Sequence, residues 1–143
     1  MNTESIGLQT GPFGAKGAWW IAVALYAGAI YALSAQSHPF GIQSLPPRMD
    51  KLIHASVFGG FSLVLWMALR RSMPGLTAGA LSVLAVVLTA LCGLSDEIHQ
   101  AFVPGRAMEA LDWAADVTGA ALMQWVILFR ARAQAVRRPG GAT

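Results

Sequence analysis

Apolar residues in this chain gather into four long runs, at residues 17–35, 52–69, 76–95 and 113–129, separated by short polar segments. Each run is close to the ~20 residues an α-helix needs to cross ~30 Å of hydrocarbon. Lipid leaves no partner for a bare backbone amide or carbonyl, so the pattern predicts an all-α, four-span transmembrane helical bundle. Pro39, Pro46, Pro47, Pro74 and Pro104 all fall between the runs, where a missing amide donor does little harm. The organisation read from this is an N-terminal segment at residues 1–16, a membrane domain at 17–130 and a basic tail at 131–143. The first run is longer than the hydrophobic stretch of a cleaved signal peptide, and the segment before it is long and weakly basic, so it reads as a span.

Composition narrows the class further. The 143 residues are 55% hydrophobic and only 12% charged, with a mean hydropathy of +0.53. A soluble domain carries about a quarter charged residues, so an ordinary soluble globule and a disordered tail are both excluded. The formal net charge of +3 does not describe a basic surface spread over a folded domain, and nucleic acid is not an expected partner. One cysteine, Cys92, lies within an apolar run; it permits no intramolecular disulfide and reads as a small structural thiol.

The charges are sorted by side. With the N-terminus in the cytoplasm, Lys16, Arg70, Arg71, Arg130, Arg132, Arg137 and Arg138 face inward, and only Arg48, Lys51 and Arg106 face outward. That imbalance places both termini in the cytoplasm. The tail after Phe129 then serves as an orientation signal and a contact for anionic lipid. Among the acids, Glu4 is inward, whereas Asp50, Asp96, Glu97, Glu109, Asp112 and Asp116 are all outward.

The outward side also holds His38, His54 and His99, together with Gln36, Gln43 and Gln100. Polar groups at or just below a membrane surface are costly unless they pair with each other, with water or with a ligand. Asp50 and His54 are four apart and share a helix face, with Lys51 three residues before His54. Asp96 and Gln100 are four apart and Glu97 and Gln100 three apart, on adjoining faces if the third helix continues past its apolar run. Asp112 and Asp116 lie one turn apart, followed by Gly119 and Ala120, small residues that let another helix approach. Phe102-Val103-Pro104-Gly105-Arg106 forms a turn that brings one arginine to an acidic rim. Three helices therefore carry polar ends to one level, and a shared pocket is expected there.

Three spaced blocks carry a resemblance: Asp50-Lys51-x-x-His54, then Ser95-Asp96-Glu97-x-x-Gln100-x-Phe102-Val103-Pro104-Gly105-Arg106, then Asp112-x-x-x-Asp116-x-x-Gly119. Together, over about residues 20 to 130, they resemble the pattern of VanZ-like membrane proteins. The resemblance implies a cell-envelope role in a bacterium, and the family takes its name from a protein linked to teicoplanin resistance. A common form of the last block carries an Asn where this chain has Val117-Thr118, so that amide is not carried over.

These residues divide into expected roles. His54, Asp50, Glu97 and Asp116 are the candidate catalytic set, because a histidine among carboxylates is poised for proton transfer near neutral pH. Lys51, Gln100, Arg106 and Asp112 are the candidate substrate-binding set, with Lys51 and Arg106 holding an anionic group. No zinc spacing, phosphate loop or nucleophile elbow is present, and no cofactor is expected beyond a divalent metal on Glu97, Asp112 and Asp116 as an option. Asp50 and Asp112 also suit helix N-termini, where a carboxylate satisfies backbone donors. His38, Glu109 and His99 read as loop or rim residues. Gly59-Gly60 and Gly75 with Gly79 read as close-packing points, and Trp19, Trp20, Trp66, Trp113 and Trp125 as interfacial or lipid-facing.

Two functions stay open on this reading. One is an outer-face acid/base or metal-assisted enzyme acting on an envelope lipid or lipid-linked intermediate. The other is a non-catalytic envelope protein that alters how the surface meets a glycopeptide antibiotic or a partner protein. An ion pathway is disfavoured, because residues 58–61 and 81–88, in the middles of their spans, carry no ionisable group.

Overall fold

The computed structural model describes residues 15–37 and 48–137. Four helices account for nearly all of them, α1 (Ala15–Ser34), α2 (Met49–Ser72), α3 (Ala78–Gln100) and α4 (Ala110–Arg137). No strand occurs among the described residues, so the all-α expectation holds. The stretches Gly17–Ser34, Met49–Ser72 and Ala78–Gln100 are long and apolar enough to cross a membrane. Leu25, Leu52, Val83, Leu91 and Leu122 are exposed on the outside of the bundle; an apolar exterior of this kind belongs in lipid. α4 is not one of the three, since Asp112, Asp116, Gln124, Arg130 and Arg132 all lie within it.

Several helices overrun the apolar runs that forecast them, and the overruns matter. α2 begins at Met49, so Asp50 and Lys51 belong to its first turn. α3 continues past Ser95 to Gln100, which puts Asp96, Glu97 and Gln100 on one rigid element. α4 begins at Ala110, with Asp112 in its first turn. Helix starts and stops have local causes: the Thr77 side chain accepts a bond from the Ala80 amide at the head of α3. Gly105, with φ +80°, supplies the left-handed residue of the α3–α4 turn.

Lipid tails are as apolar as leucine, so close packing rather than water exclusion must hold such helices together. α2 and α4 share the largest interface, and its centre is made of small residues. A Cβ at Gly119 would collide with the Ala55 backbone carbonyl, and one at Gly59 would come within 3.1 Å of the Gly119 carbonyl oxygen. Gly60 lies under the Tyr26 hydroxyl, which donates to the Val57 carbonyl at 3.0 Å. Gly75 faces open space and a Cβ at Gly79 would meet only the Thr77 hydroxyl, at 4.0 Å; they belong to the α2–α3 connection and the first turn of α3, and neither packs against another helix there.

The apolar core lies toward the end of the bundle that carries Arg70 and Arg71. Phe61, Leu65, Trp66 and Leu69 of α2 meet Leu81 and Ala85 of α3, with Val23, Tyr26, Ala27 and Ile30 of α1 against them. Trp66 is thus a core residue, not a lipid-facing one. The Arg70 guanidinium lies 5.2 Å from its ring, and Arg71 lies 4.7 Å from the ring of Trp19, contacts that seat cations on π-faces. Cys92, in contrast, is exposed on the outside of α3.

Candidate functional site

At the opposite end of the bundle the interior is polar. Asp96, Glu97, Gln100, Asp112 and Asp116 are all buried, Glu97 and Asp116 to the last per cent of their surface. The close α2–α4 contact explains how Asp116 reaches its partner: Ala55 follows His54, and Gly119 lies one turn past Asp116. With the two backbones touching there, His54 Nδ1 and Asp116 Oδ1 stand 3.0 Å apart. A ring with its proton on Nδ1 donates it to an ionised Asp116, and the tautomer with its proton on Nε2 leaves a lone pair there instead. The other nitrogen, Nε2, is 3.9 Å from Asp112 Oδ2.

α3 completes this half of the site. Gly93 and Glu97 are four apart on one face of α3, and a Cβ at Gly93 would come within 2.7 Å of Asp116 Oδ2. Only a glycine leaves room for the aspartate to lie flat on α3. Glu97 Oε2 accepts the backbone N–H of Glu109 at 2.8 Å, which ties α3 to the residue just before α4. Its other oxygen, Oε1, and Asp116 Oδ2 have no hydrogen-bond partner among the described residues.

Lys51 makes a second centre a turn nearer the head of α2. Its ammonium lies 2.9 Å from Asp50, 2.6 Å from Glu109 and 2.5 Å from Asp112. A third network ties α1 to α3. The Ser34 hydroxyl donates to Asp96 Oδ2 at 2.8 Å and the Gln100 amide donates to the same oxygen at 2.7 Å. Arg106 donates in turn to the Gln100 carbonyl oxygen.

Between these networks is a cavity of about 340 Å³. Asp50, His54, Asp96, Gln100, Arg106, Glu109 and Asp112 give it a polar wall, and Ile30, Leu33, Ile53, Val57 and Phe58 an apolar one. Of the eight residues singled out from sequence, Asp50, His54, Gln100, Arg106 and Asp112 line it. Glu97 and Asp116 are buried outside its lining, close to His54, and Lys51 is drawn away by its three carboxylates. Among the described residues, Arg106 is therefore the one Lys or Arg on the cavity wall, facing four carboxylates. This is a poorer setting for a bare anion than the sequence pattern led one to expect.

The structure adds residues that sequence reasoning left aside. Glu109, expected at the rim, contributes both its side chain to Lys51 and its amide to Glu97. Ser34 and Asp96 form the α1–α3 tie, and Gly93 seats Asp116. The Asp96–Gln100 spacing was visible in sequence; nothing local marks Ser34 or Gly93, whose partners lie 62 and 23 positions away. His99 stacks on Tyr31 with ring centroids 4.2 Å apart and stays at the periphery. His38 and Gln43 lie outside the described residues. A protonatable ring backed by buried carboxylates, beside a cavity half polar and half apolar, can exchange protons with, or hold a cation against, an amphipathic molecule. The family model described as VanZ/LLP1 matches residues 11–131. No curated protein and no solved structure matches the chain.

Proposed function

Because this chain belongs to the VanZ/LLP1 family, we propose that it is a four-span protein of the bacterial inner membrane whose outward polar site acts on a lipid or lipid-linked headgroup of the cell envelope. Both termini lie in the cytoplasm on this reading, which follows from the basic residues at the Arg70–Arg71 end and beyond Phe129. α4 is the fourth span. Its 28 residues are ~42 Å long at ~1.5 Å each. Of its polar residues between Trp113 and Phe129, Asp116 and Gln124 turn inward and exposed Thr118 donates its hydroxyl to the Ala114 carbonyl at 2.7 Å, while Leu122, Trp125 and Phe129 face out. Within residues 113–129 the low hydropathy thus comes mainly from the buried face; Arg130 and Arg132, exposed beyond Phe129, lower that of the helix as a whole.

The observation that carries the reading is the two-faced cavity, with His54 on its polar wall and fully buried Asp116 behind the ring. The apolar wall suits the first carbons of an acyl or prenyl chain and the polar wall suits a headgroup. His54, Asp50, Glu97 and Asp116 supply acid/base or metal-assisted chemistry, with Gln100, Arg106 and Asp112 positioning the headgroup and Lys51 holding Asp50 and Asp112 in place. A link to glycopeptide resistance would follow from altered envelope lipid at the cell surface.

The test is turnover of labelled phospholipids and polyprenyl-linked intermediates by the purified full chain, with Glu97→Gln alongside. Expected is product from the wild type and at least ~100-fold less from the variant, the usual scale for removing a group that moves protons. No product across both lipid classes removes the enzyme reading. Tight headgroup binding without product, retained in Asp116→Glu, supports the non-catalytic envelope protein in its place.

A further inference from the structure

Two trios of metal-ligating groups sit side by side at the acidic end, and they differ in one respect. Asp50, Glu109 and Asp112 bring three carboxylates together, and His54, Glu97 and Asp116 bring an imidazole nitrogen and two carboxylate oxygens within 4.8 Å of one another. The first trio surrounds the Lys51 ammonium, which contacts all three acids. No lysine or arginine among the described residues forms an ion pair with Glu97 or Asp116. Yet this second trio is the more deeply buried, with Glu97 and Asp116 wholly so. Each of those two acids also keeps one buried oxygen without a partner, Glu97 Oε1 and Asp116 Oδ2.

An ionised buried carboxylate needs a partner charge or a metal, and otherwise takes up a proton; a proton on His54 answers at most one of the two. We propose that His54, Glu97 and Asp116 hold a divalent cation of the zinc or manganese kind. Two charges on the cation match two carboxylates, as the single charge of Lys51 partly answers the neighbouring trio. An imidazole together with two carboxylates suits these borderline metals, whereas magnesium and calcium favour oxygen ligands alone. Three protein ligands leave a position open, and His54 is also part of the cavity wall. Gly93 gives Asp116 its room, and the Glu109 amide fixes Glu97, so both acids are oriented by groups outside the trio. Asp112, named from sequence as a metal ligand, belongs to the Lys51 trio.

The inference rests on reading this end of the bundle as the functional site, and it commits that site to metal-assisted chemistry; a bound cation there would polarise an oxygen of the headgroup. The full chain is purified in detergent, stripped with a chelator, and titrated with Zn²⁺ and separately with Mn²⁺ by calorimetry, with elemental analysis after dialysis. Expected is about one equivalent per chain, with affinity weakened at least ~10-fold in Glu97→Gln and in Asp116→Asn, and within ~2-fold of wild type in Gln124→Leu. Substitution with Co²⁺ gives a second readout on the wild type alone, visible absorption bands of a nitrogen–oxygen site. The proposal falls if the wild type binds neither ion and shows no Co²⁺ bands, or if Glu97→Gln and Asp116→Asn, folded by circular dichroism, bind as wild type does. Turnover that persists after chelation overturns the cation while leaving the enzyme reading intact. One bound equivalent without turnover upholds the cation and removes the enzyme.

Discussion

The two ends of this bundle are built from the same helices by opposite rules. Toward Arg70 and Arg71, α1, α2 and α3 bring Val23, Phe61, Leu65, Leu69, Leu81 and Ala85 into one apolar cluster. Toward Asp50 and Asp112, α2, α3 and α4 bury Glu97, Gln100, Asp112 and Asp116. An apolar interior in lipid gains only packing, but it risks nothing. A polar interior gains packing too, and it carries desolvation costs that have to be met by partners. A chain that needed only to sit in a membrane would use the first arrangement throughout. On the proposed function, the acids held at zero exposure at one end serve the site, and the packing of the other end supports them.

What joins the ends is the α2–α4 seam at Gly59, Ala55 and Gly119, and breaking it gives the largest effect. Gly119→Val puts three carbons where the Ala55 carbonyl already stands. Overpacking alone costs about 1–3 kcal/mol, and here the obstacle is backbone, so the helices must part. His54 then loses Asp116, and both stability and function go together. Thermal unfolding in detergent, followed by circular dichroism, should show loss of the cooperative transition; a melting temperature within ~2 °C of wild type would mean the seam is not the hinge of the fold.

Next in size is a pair of substitutions that pulls the two ends apart. Leu69→Ala in the apolar cluster should lower stability by about 2–4 kcal/mol, the range for emptying a packed leucine site, and leave zinc affinity within ~2-fold. Asp116→Asn should do the reverse. In chelator-treated protein it removes a buried charge while its amide oxygen can still accept from the His54 ring, so its stability should equal or exceed that of stripped wild type, while zinc affinity falls at least ~10-fold. Denaturation with and without Zn²⁺ checks both. If Asp116→Asn destabilises the stripped protein as strongly as Leu69→Ala does, the acid is a structural member and the contrast between ends collapses.

How much of this was legible beforehand follows the same division. The helices were written in the apolar runs, because lipid punishes any alternative backbone and leaves hydropathy as a nearly sufficient code. The site was half legible. Asp50–His54, Asp96–Gln100 and Asp112–Asp116 are spacings of four within single helices, and such pairs announce their face without any knowledge of neighbours. Contacts between helices carry no such mark. That Lys51 would be claimed by three acids, that Glu109 would reach from the rim into the site, and that Gly93 would make room for Asp116 all depend on how α2, α3 and α4 face each other. α4 reads as a span that carries Asp112 and Asp116 toward the shared pocket, but its polar residues lower its hydropathy below that of the other three, and only burial tells which face Gln124 occupies.

A smaller effect tests whether a polar pair inside the bundle is always a functional sign. Gln124 donates to the Ser62 hydroxyl at 2.8 Å and to its carbonyl at 3.1 Å, buried in α4 and α2. These are uncharged groups, and they resemble the hydrogen bonds that hold membrane helices in register. Gln124→Leu should cost about 0.6–1.7 kcal/mol and leave cation binding unchanged. A loss of zinc affinity in this variant would extend the site much deeper than the acidic end.

The smallest change lies at the far surface, where the Trp20 indole donates to the Ser72 hydroxyl at 2.8 Å and so ties the start of α1 to the end of α2. The bond is exposed, and headgroups or water can replace it, so Trp20→Phe should cost no more than about 0.5–1 kcal/mol. Its value is as a probe of α1. That helix is fixed at this end by Trp20 and at the acidic end by Ser34 on Asp96. If the ties act independently, Trp20→Phe and Ser34→Ala should add within ~0.5 kcal/mol, as sites more than ~10 Å apart do. A larger coupling would mean that α1 docks as one rigid rod, so that loosening it at the arginine end is felt at the cavity wall.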